Sequence, residues 1–150
     1  MGGGNMSQIF IPFNVPSLKN SRVSTPKGSF HSPTVRKYLQ KLGVKKYSSK
    51  GYENYKTRPN LFEKAVKPMK DAFAPYSSSR KPPFLVGFWF IRDSKRKFDL
   101  INAMQILQDL LVAHGVIDDD NADILIPSPF MINCKWYSYD KERPGVILDY

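Results

Sequence analysis

An eight-residue apolar run, Phe84 to Ile91, is followed after a basic turn by the pattern of an amphipathic helix, and this pair of segments most constrains the fold. Consecutive apolar positions are typical of a strand that is buried on both faces in the middle of a sheet. The apolar residues then adopt helical spacing between an N-cap at Asp99 and a stop at Gly115. A central strand needs neighbours on both edges, so the rest of the chain must supply more strands. The buried face of the helix is predicted to be Leu100, Ala103, Met104, Leu107, Leu110 and Leu111.

Two further helices are predicted by capping residues and apolar spacing. Ser32 caps a first helix that begins at Pro33 and ends at Gly43. Asn60 caps a second helix, which Pro68 should kink or end. The outer side of the first helix is expected to carry Arg36, Lys37, Tyr38 and Lys41.

Short β-forming segments at residues 8–13, 124–126, 132–137 and 145–148 complete the pattern. Together they predict an α+β fold, with a mixed β-sheet of four or five strands and helices packed mainly on one face. A length of 150 residues suits a single domain over 1–150. Within it, residues 1–5 are expected to be a scar ahead of a start at Met6, or disordered, and residues 43–60 a basic mobile loop.

The composition excludes several classes of protein. Cys134 is the single cysteine, which rules out an internal disulfide, and His31 and His114 give no zinc-ligand spacing. We find no secretory signal and no apolar run long enough to cross a bilayer, so a cytoplasmic setting is expected. Cys134 is predicted to be a small buried hydrophobe, and His114 a helix cap whose imidazolium favours the dipole.

Charge is distributed unevenly along the chain. Residues 1–92 hold seventeen Lys and Arg against three carboxylates, whereas residues 93–150 hold six against ten, within an overall charge of +10. Cations in one part and carboxylates in the other suit a protein that handles a polyanion with a metal-assisted site. Ordinary solubilising charge is the alternative.

Asp99 follows the central strand, and the acidic turn Asp118, Asp119 and Asp120 follows the next helix. Carboxylates at these two places are expected to meet at one end of the sheet. Mg²⁺ prefers oxygen ligands and keeps several waters, so two or three carboxylates are sufficient to hold it. Such a site, beside cations that bind phosphate, favours hydrolysis of a phosphodiester.

Several of these segments resemble the RusA family of Holliday junction resolvases. The similarity covers the N-terminal turn and residues 84–126. The residues that carry it are Pro16-Ser17-Leu18-Lys19-Asn20 in a polar turn over 16–22, Lys95-Arg96-Lys97 before Asp99, Asn102, Asp109, Gly115, and Asp119-Asp120. The resemblance implies a homodimeric, Mg²⁺-dependent endonuclease, with Mn²⁺ as a possible substitute, that cuts four-way or branched DNA. Such enzymes are common in phages and prophages, so the resemblance implies the cytoplasm of a bacterial or phage-infected cell.

The resemblance also assigns roles to individual positions. Asp99 matches the first Asp of the family's Asp-x-Asp-Asn motif, and Asn102 matches its Asn. The Asp pair after the helix matches Asp119 and Asp120, of which Asp120 fits the catalytic position best. The resemblance therefore implies catalysis by Asp99, Asp119 and Asp120, with Asn102 added as a metal ligand. The chain departs from the family where the second motif Asp is Ile101 and a lysine one turn into the helix is Gln105.

The expected DNA-binding residues lie in three clusters, near the N-terminus, in the loop from 43 to 60, and before Asp99. They are Lys19, Asn20, Arg22, Lys45, Lys46, Lys50, Lys95, Arg96 and Lys97. Tyrosines interleaved with lysine could stack on unpaired bases or pack against the nearby helix; they are Tyr38, Tyr47, Tyr52 and Tyr55. Two alternatives to a nuclease stay open. One is an inactive module that binds branched DNA, and the other is a protein that binds RNA or single strands.

Overall fold

The structure, a computed structural model, describes residues 7–17, 22–25, 28–44, 60–74 and 80–150, with the side chains of 22–31 left aside. Most of the predicted basic loop over 43–60 lies outside these residues. The described elements are β1 (Gln8–Pro12), β2 (Arg22–Thr25), β3 (Gly28–His31), α1 (Pro33–Lys41), α2 (Leu61–Phe73), β4 (Phe84–Arg92), α3 (Leu100–Ala113), β5 (Leu125–Pro129), β6 (Tyr137–Tyr139) and β7 (Gly145–Asp149).

A mixed five-stranded sheet organises the described part of the molecule, which confirms the predicted α+β fold. β4 pairs antiparallel with β7, and β7 pairs antiparallel with β1. On its other edge β4 pairs in parallel with β5 near its start and with β6 near its end. β4 is therefore central, as its continuous apolar sequence predicts. β2 and β3 form a separate antiparallel hairpin.

The core lies on one face of β4 and holds the apolar sides of the helices. Phe84, Phe88 and Phe90 are buried on this face, where the ring of Phe73 from α2 stacks on Phe84 with centroids 4.0 Å apart. On the opposite face Leu85 is 54% exposed. None of the helices in the described part of the chain combines the length and the apolarity needed to cross a bilayer.

The three predicted N-caps are confirmed. The side chains of Ser32, Asn60 and Asp99 accept the backbone N–H three residues ahead, at 3.4, 2.6 and 3.2 Å. Gly43 and Gly115 have φ of 81° and 71° and follow α1 and α3, where a left-handed residue ends a helix.

Of the two predicted effects of Pro68, a kink or an end, the second does not occur, because α2 continues to Phe73. Proline removes one backbone donor from a helix, which leaves the carbonyl four residues earlier without its usual partner. That carbonyl belongs to Lys64. Lys64 and Pro68 are both exposed, so water can bond to the carbonyl in place of the missing N–H.

Three predictions of local environment are also wrong. Tyr38 is 3% exposed rather than on the outer side of α1, and its hydroxyl has no hydrogen-bond partner among the described residues. Cys134 is exposed in a tight turn that replaces most of the strand predicted over 132–137. Arg22 begins β2 instead of lying in a polar turn.

Candidate functional site

The polar side of α3 carries the candidate site. Asp99 caps the helix, and its Oδ1 accepts the N–H of Asn102. Gln105 and Asp109 lie farther along the same side, where Gln105 Nε2 donates to Asp109 Oδ1 at 2.9 Å. The wide apolar side of α3 packs into the core, so this polar side is the one left for solvent.

The acidic turn after α3 reaches this polar side through one hydrogen bond. Gln105 Nε2 also donates to Asp120 Oδ2 at 3.2 Å, which fixes the turn beside the first half of the helix. The acidic turn was expected to meet Asp99 at one end of the sheet, but the strand topology does not bring the two segments to the same end. β4 and β5 are parallel, so the residues after β4 and those before β5 lie at opposite ends of these strands. Asp120 reaches Gln105, the sixth residue of α3, because residues 116–120 return along the helix.

Asp119 and Asp120 differ in their partners. Both oxygens of Asp119 accept hydrogen bonds inside the turn, from the backbone N–H of Asp120 at 2.8 Å and from the side chain of Asn121 at 2.9 Å. The bond from Asn121, followed by that from the backbone of Asp120, lowers the pKa of Asp119, so this carboxylate is ionised at neutral pH. Asp119 thus organises the turn, while Asp120 faces the helix.

Ile101 occupies the second position of α3 and is 68% exposed. An aliphatic side chain at this exposure contributes little to the core. Ile101 follows Asp99 by two positions on the first turn, at the place where the family resemblance expects a carboxylate. Ile101 cannot ligate a metal, and Gln105 is neutral where a lysine is expected.

The basic segment Lys95, Arg96 and Lys97 is exposed and is separated from Asp99 only by Phe98. Its start is attached to the loop after β1, because the guanidinium of Arg92 donates to the carbonyl of Val15 and the N–H of Asp93 donates to Asn14 Oδ1. These contacts bring the described part of the N-terminal turn beside the basic segment. Lys19, Asn20, Lys45, Lys46 and Lys50 lie outside the described residues, as does the side chain of Arg22.

His114 ends α3 but does not act as the predicted imidazolium. The ring is 8% exposed, and burial lowers its pKa below the ordinary value, so it is neutral at pH 7. Nδ1 donates to the carbonyl of Leu110 at 2.8 Å, and Nε2 accepts from the side chain of Asn60 at 3.1 Å. His114 therefore connects the end of α3 to the cap of α2 and has a structural role.

Within the described residues no group of three or more His, Cys, Asp or Glu side chains is arranged to hold a metal ion. Mg²⁺ is commonly bound through one or two carboxylates together with waters, so Asp99 and Asp120 with the amide oxygen of Asn102 are a chemically suitable set for it. No protein-family model, curated protein or solved structure matches this chain.

Proposed function

We propose that the protein is a Mg²⁺-dependent, structure-selective DNA endonuclease that cuts Holliday junctions or other branched DNA. The observation that carries this proposal is the hydrogen bond from Gln105 to Asp120, which places the acidic turn against the polar side of α3, the helix that Asp99 caps. The exposed cations of Lys95, Arg96 and Lys97 lie just before Asp99 in the chain and are available for phosphate.

Bound Mg²⁺ would activate water and neutralise the charge that develops on the phosphodiester. Asp99 and Asp120 would hold the cation, with Asn102 as a further oxygen ligand. Asp119 supports Asp120 by stabilising the turn that carries it, since both of its oxygens are used there. The basic segment binds the DNA backbone. A homodimer would supply the second site that symmetric resolution of a four-way junction requires.

A catalytically inactive module that binds branched DNA is the second candidate. It is favoured by the exposed Ile101 at the position where the resemblance expects a ligand, and by the finding that no three His, Cys, Asp or Glu side chains of the described residues are arranged to hold a metal. The basic segment would serve both functions alike.

Cleavage of a synthetic four-way junction, with and without Mg²⁺, separates the two candidates. In the wild type we expect cutting that requires the metal. Asp99→Asn and Asp120→Asn should each lower the cleavage rate by about 100-fold or more, because each removes a charge that holds the cation. Asn caps a helix as well as Asp does, so Asp99→Asn should leave the melting temperature nearly unchanged. Junction affinity should stay level or rise, since a negative charge near phosphate is removed.

Asp71→Asn is the matched control. Asp71 is exposed on α2, where it forms a surface ion pair with Lys67 at 3.1 Å. Such pairs contribute little to stability, so this variant should cut and melt like the wild type. Cutting at the wild-type rate by both the Asp99 and Asp120 variants would overturn the assignment of the metal site. Absence of cutting by the wild type, with junction affinity retained, would favour the inactive module.

A further inference from the structure

Large aromatic side chains are exposed around β6, at the edge of the sheet. Trp136 and Tyr137 are each 52% exposed, and Tyr139 is 45% exposed. Exposed aromatic residues in one place are typical of a binding surface rather than of ordinary solvent contact. The sequence predicts a strand over 132–137 and indicates no functional role for it.

The register of β6 places two of these rings near the candidate site. Tyr137 pairs with Phe90 and Tyr139 with Arg92. Paired residues of neighbouring strands project to the same face, so both tyrosines project to the face on which Phe90 meets the core. Phe98, immediately before Asp99, meets Tyr137 edge to face at 4.9 Å and Phe90 at 6.0 Å between centroids. The tyrosines therefore lie beside the start of α3.

The basic segment joins the same surface. Lys95 Nζ lies 5.7 Å from the centroid of the Tyr139 ring, within the range of a cation–π contact. The guanidinium of Arg92 lies 4.4 Å from the centroid of the Phe98 ring, which is a second cation–π contact in this segment. Tyr137, Tyr139 and Lys95 thus form one surface with a cation beside exposed ring faces, which is called the aromatic platform below.

Charge around the aromatic platform is complementary to nucleic acid. Residues 95–98 and 131–142 contain five Lys and Arg against two carboxylates. One of those carboxylates, that of Asp140, accepts the backbone N–H groups of Glu142 and Arg143 at 2.9 and 3.2 Å and is tied to its own turn. A second copy of this chain would bring like charges together here, and interface cores are depleted of lysine.

We infer that the aromatic platform binds unpaired nucleotides of DNA by stacking bases on Tyr137 and Tyr139 while Lys95 contacts the adjoining phosphate. This inference rests on the proposed function, because the unpaired nucleotides are taken to be the part of the branched DNA substrate that binds beside Asp99. Bases at a branch point can leave the stack, and stacking on an aromatic ring tolerates any sequence because every base has a π-face. Selectivity would then come from the accessibility of unpaired bases.

The test is metal-free binding of a fluorescein-labelled oligothymidylate to the full chain, measured by anisotropy in EDTA. Tyr137→Ala and Tyr139→Ala should each weaken binding about 5- to 100-fold, whereas Tyr139→Phe should bind like the wild type because the ring is kept. Affinity for a blunt duplex should change less than about twofold in all three variants. Lys95→Ala should lower the log-affinity against log-salt slope by about 0.7, and Tyr139→Ala should leave the slope unchanged.

Leu85→Ala provides the matched control. Leu85 is 54% exposed on the opposite face of the sheet, so this truncation should leave the binding of oligothymidylate unchanged. Wild-type affinity in both tyrosine-to-alanine variants would overturn the inference. Conversion of a dimer to a monomer by Tyr137→Ala in sedimentation would also overturn it, because the platform would then be a contact between copies. Binding of oligothymidylate needs no metal, so the two proposals can fail separately. Junction cutting without tyrosine-dependent oligothymidylate binding counts against the aromatic platform alone. Tyrosine-dependent binding without junction cutting counts against the nuclease alone.

Discussion

At the scale of single residues, the exposure of Ile101 decides whether a carboxylate introduced at this position would be buried and destabilising or exposed and able to bind a metal. A buried carboxylate at this position would destabilise the protein, but the side chain is 68% exposed. Ile101→Asp should therefore leave the melting temperature nearly unchanged, since a negative charge in the first turn also favours the helix dipole. If Asp99 and Asp120 hold Mg²⁺, the added carboxylate should tighten metal binding and raise the rate of Mg²⁺-dependent cleavage.

Melting temperature and cleavage are to be measured on the same Ile101→Asp preparation, with Ile101→Asn as the uncharged control. The asparagine variant should melt like the aspartate variant and gain less activity, because it supplies an oxygen without the charge. A destabilised aspartate variant with no gain in cutting would place Ile101 away from the metal ligands.

The same scale shows which residues sequence can assign. Caps such as Ser32 and Asp99 are decided by bonds to a backbone group three residues away, so local sequence predicts them. Helical spacing puts Tyr38 on the apolar face with Val35 and Leu42, so the prediction that placed it on the outer side is wrong because it followed residue type rather than position. The exposure of Cys134 follows from a turn, and the β-forming residues around it do not predict that turn.

At the scale of elements, the contact between His114 and Asn60 joins the end of α3 to the start of α2. Burial lowers the pKa of His114 in the folded state. As the pH falls below about 6.5, the histidine is therefore protonated in the unfolded chain before it is protonated in the folded chain. The contribution of this group to stability is complete above about pH 6.5 and is lost as the pH falls from there toward the lower pKa of the folded state. Urea unfolding should thus show a lower midpoint at pH 5.5 than at pH 7.5.

His114→Gln is the control for this pH dependence, since glutamine is uncharged at both values. It should be less stable than the wild type at pH 7.5, because the buried contacts with Leu110 and Asn60 are altered. Its midpoint should change less between the two pH values. An equal change in the variant and the wild type would assign the acid sensitivity to other groups.

At the scale of the whole molecule, the central unit formed by β4, α3 and β5 was predictable, while the path of the acidic turn was not. A continuous apolar strand followed by an amphipathic helix indicates the unit directly. Residues 116–120 return along α3 because Val116 and Ile117 are buried in the core and Gln105 donates to Asp120, and sequence spacing does not reveal these contacts. The sequence predicts that Asp99 and the acidic turn meet at one end of the sheet, and the parallel pairing of β4 and β5 does not support that arrangement.

Distribution of charge gives the last prediction at this scale. Exposed cations before Asp99 and the cations of residues 1–92 can both neutralise phosphate, and salt dependence distinguishes their shares. Each phosphate contact on duplex DNA contributes about 0.9 to the log-affinity against log-salt slope. Joint replacement of Lys95, Arg96 and Lys97 by Ala should therefore flatten the slope for a four-way junction by up to about 2.7, and replacement of Lys45, Lys46 and Lys50 should flatten it similarly if that segment also binds the arms.

Both triple variants should weaken binding to every junction sequence alike, because phosphate contacts do not distinguish bases. Lys64→Ala, which removes one exposed cation from α2, is the control and should leave the slope nearly unchanged. An unchanged slope after replacement of the segment before Asp99 would mean that these cations only solubilise the protein. The positive charge would then have no part in bringing phosphate to the carboxylates, and the proposed endonuclease would lose its means of holding DNA at α3.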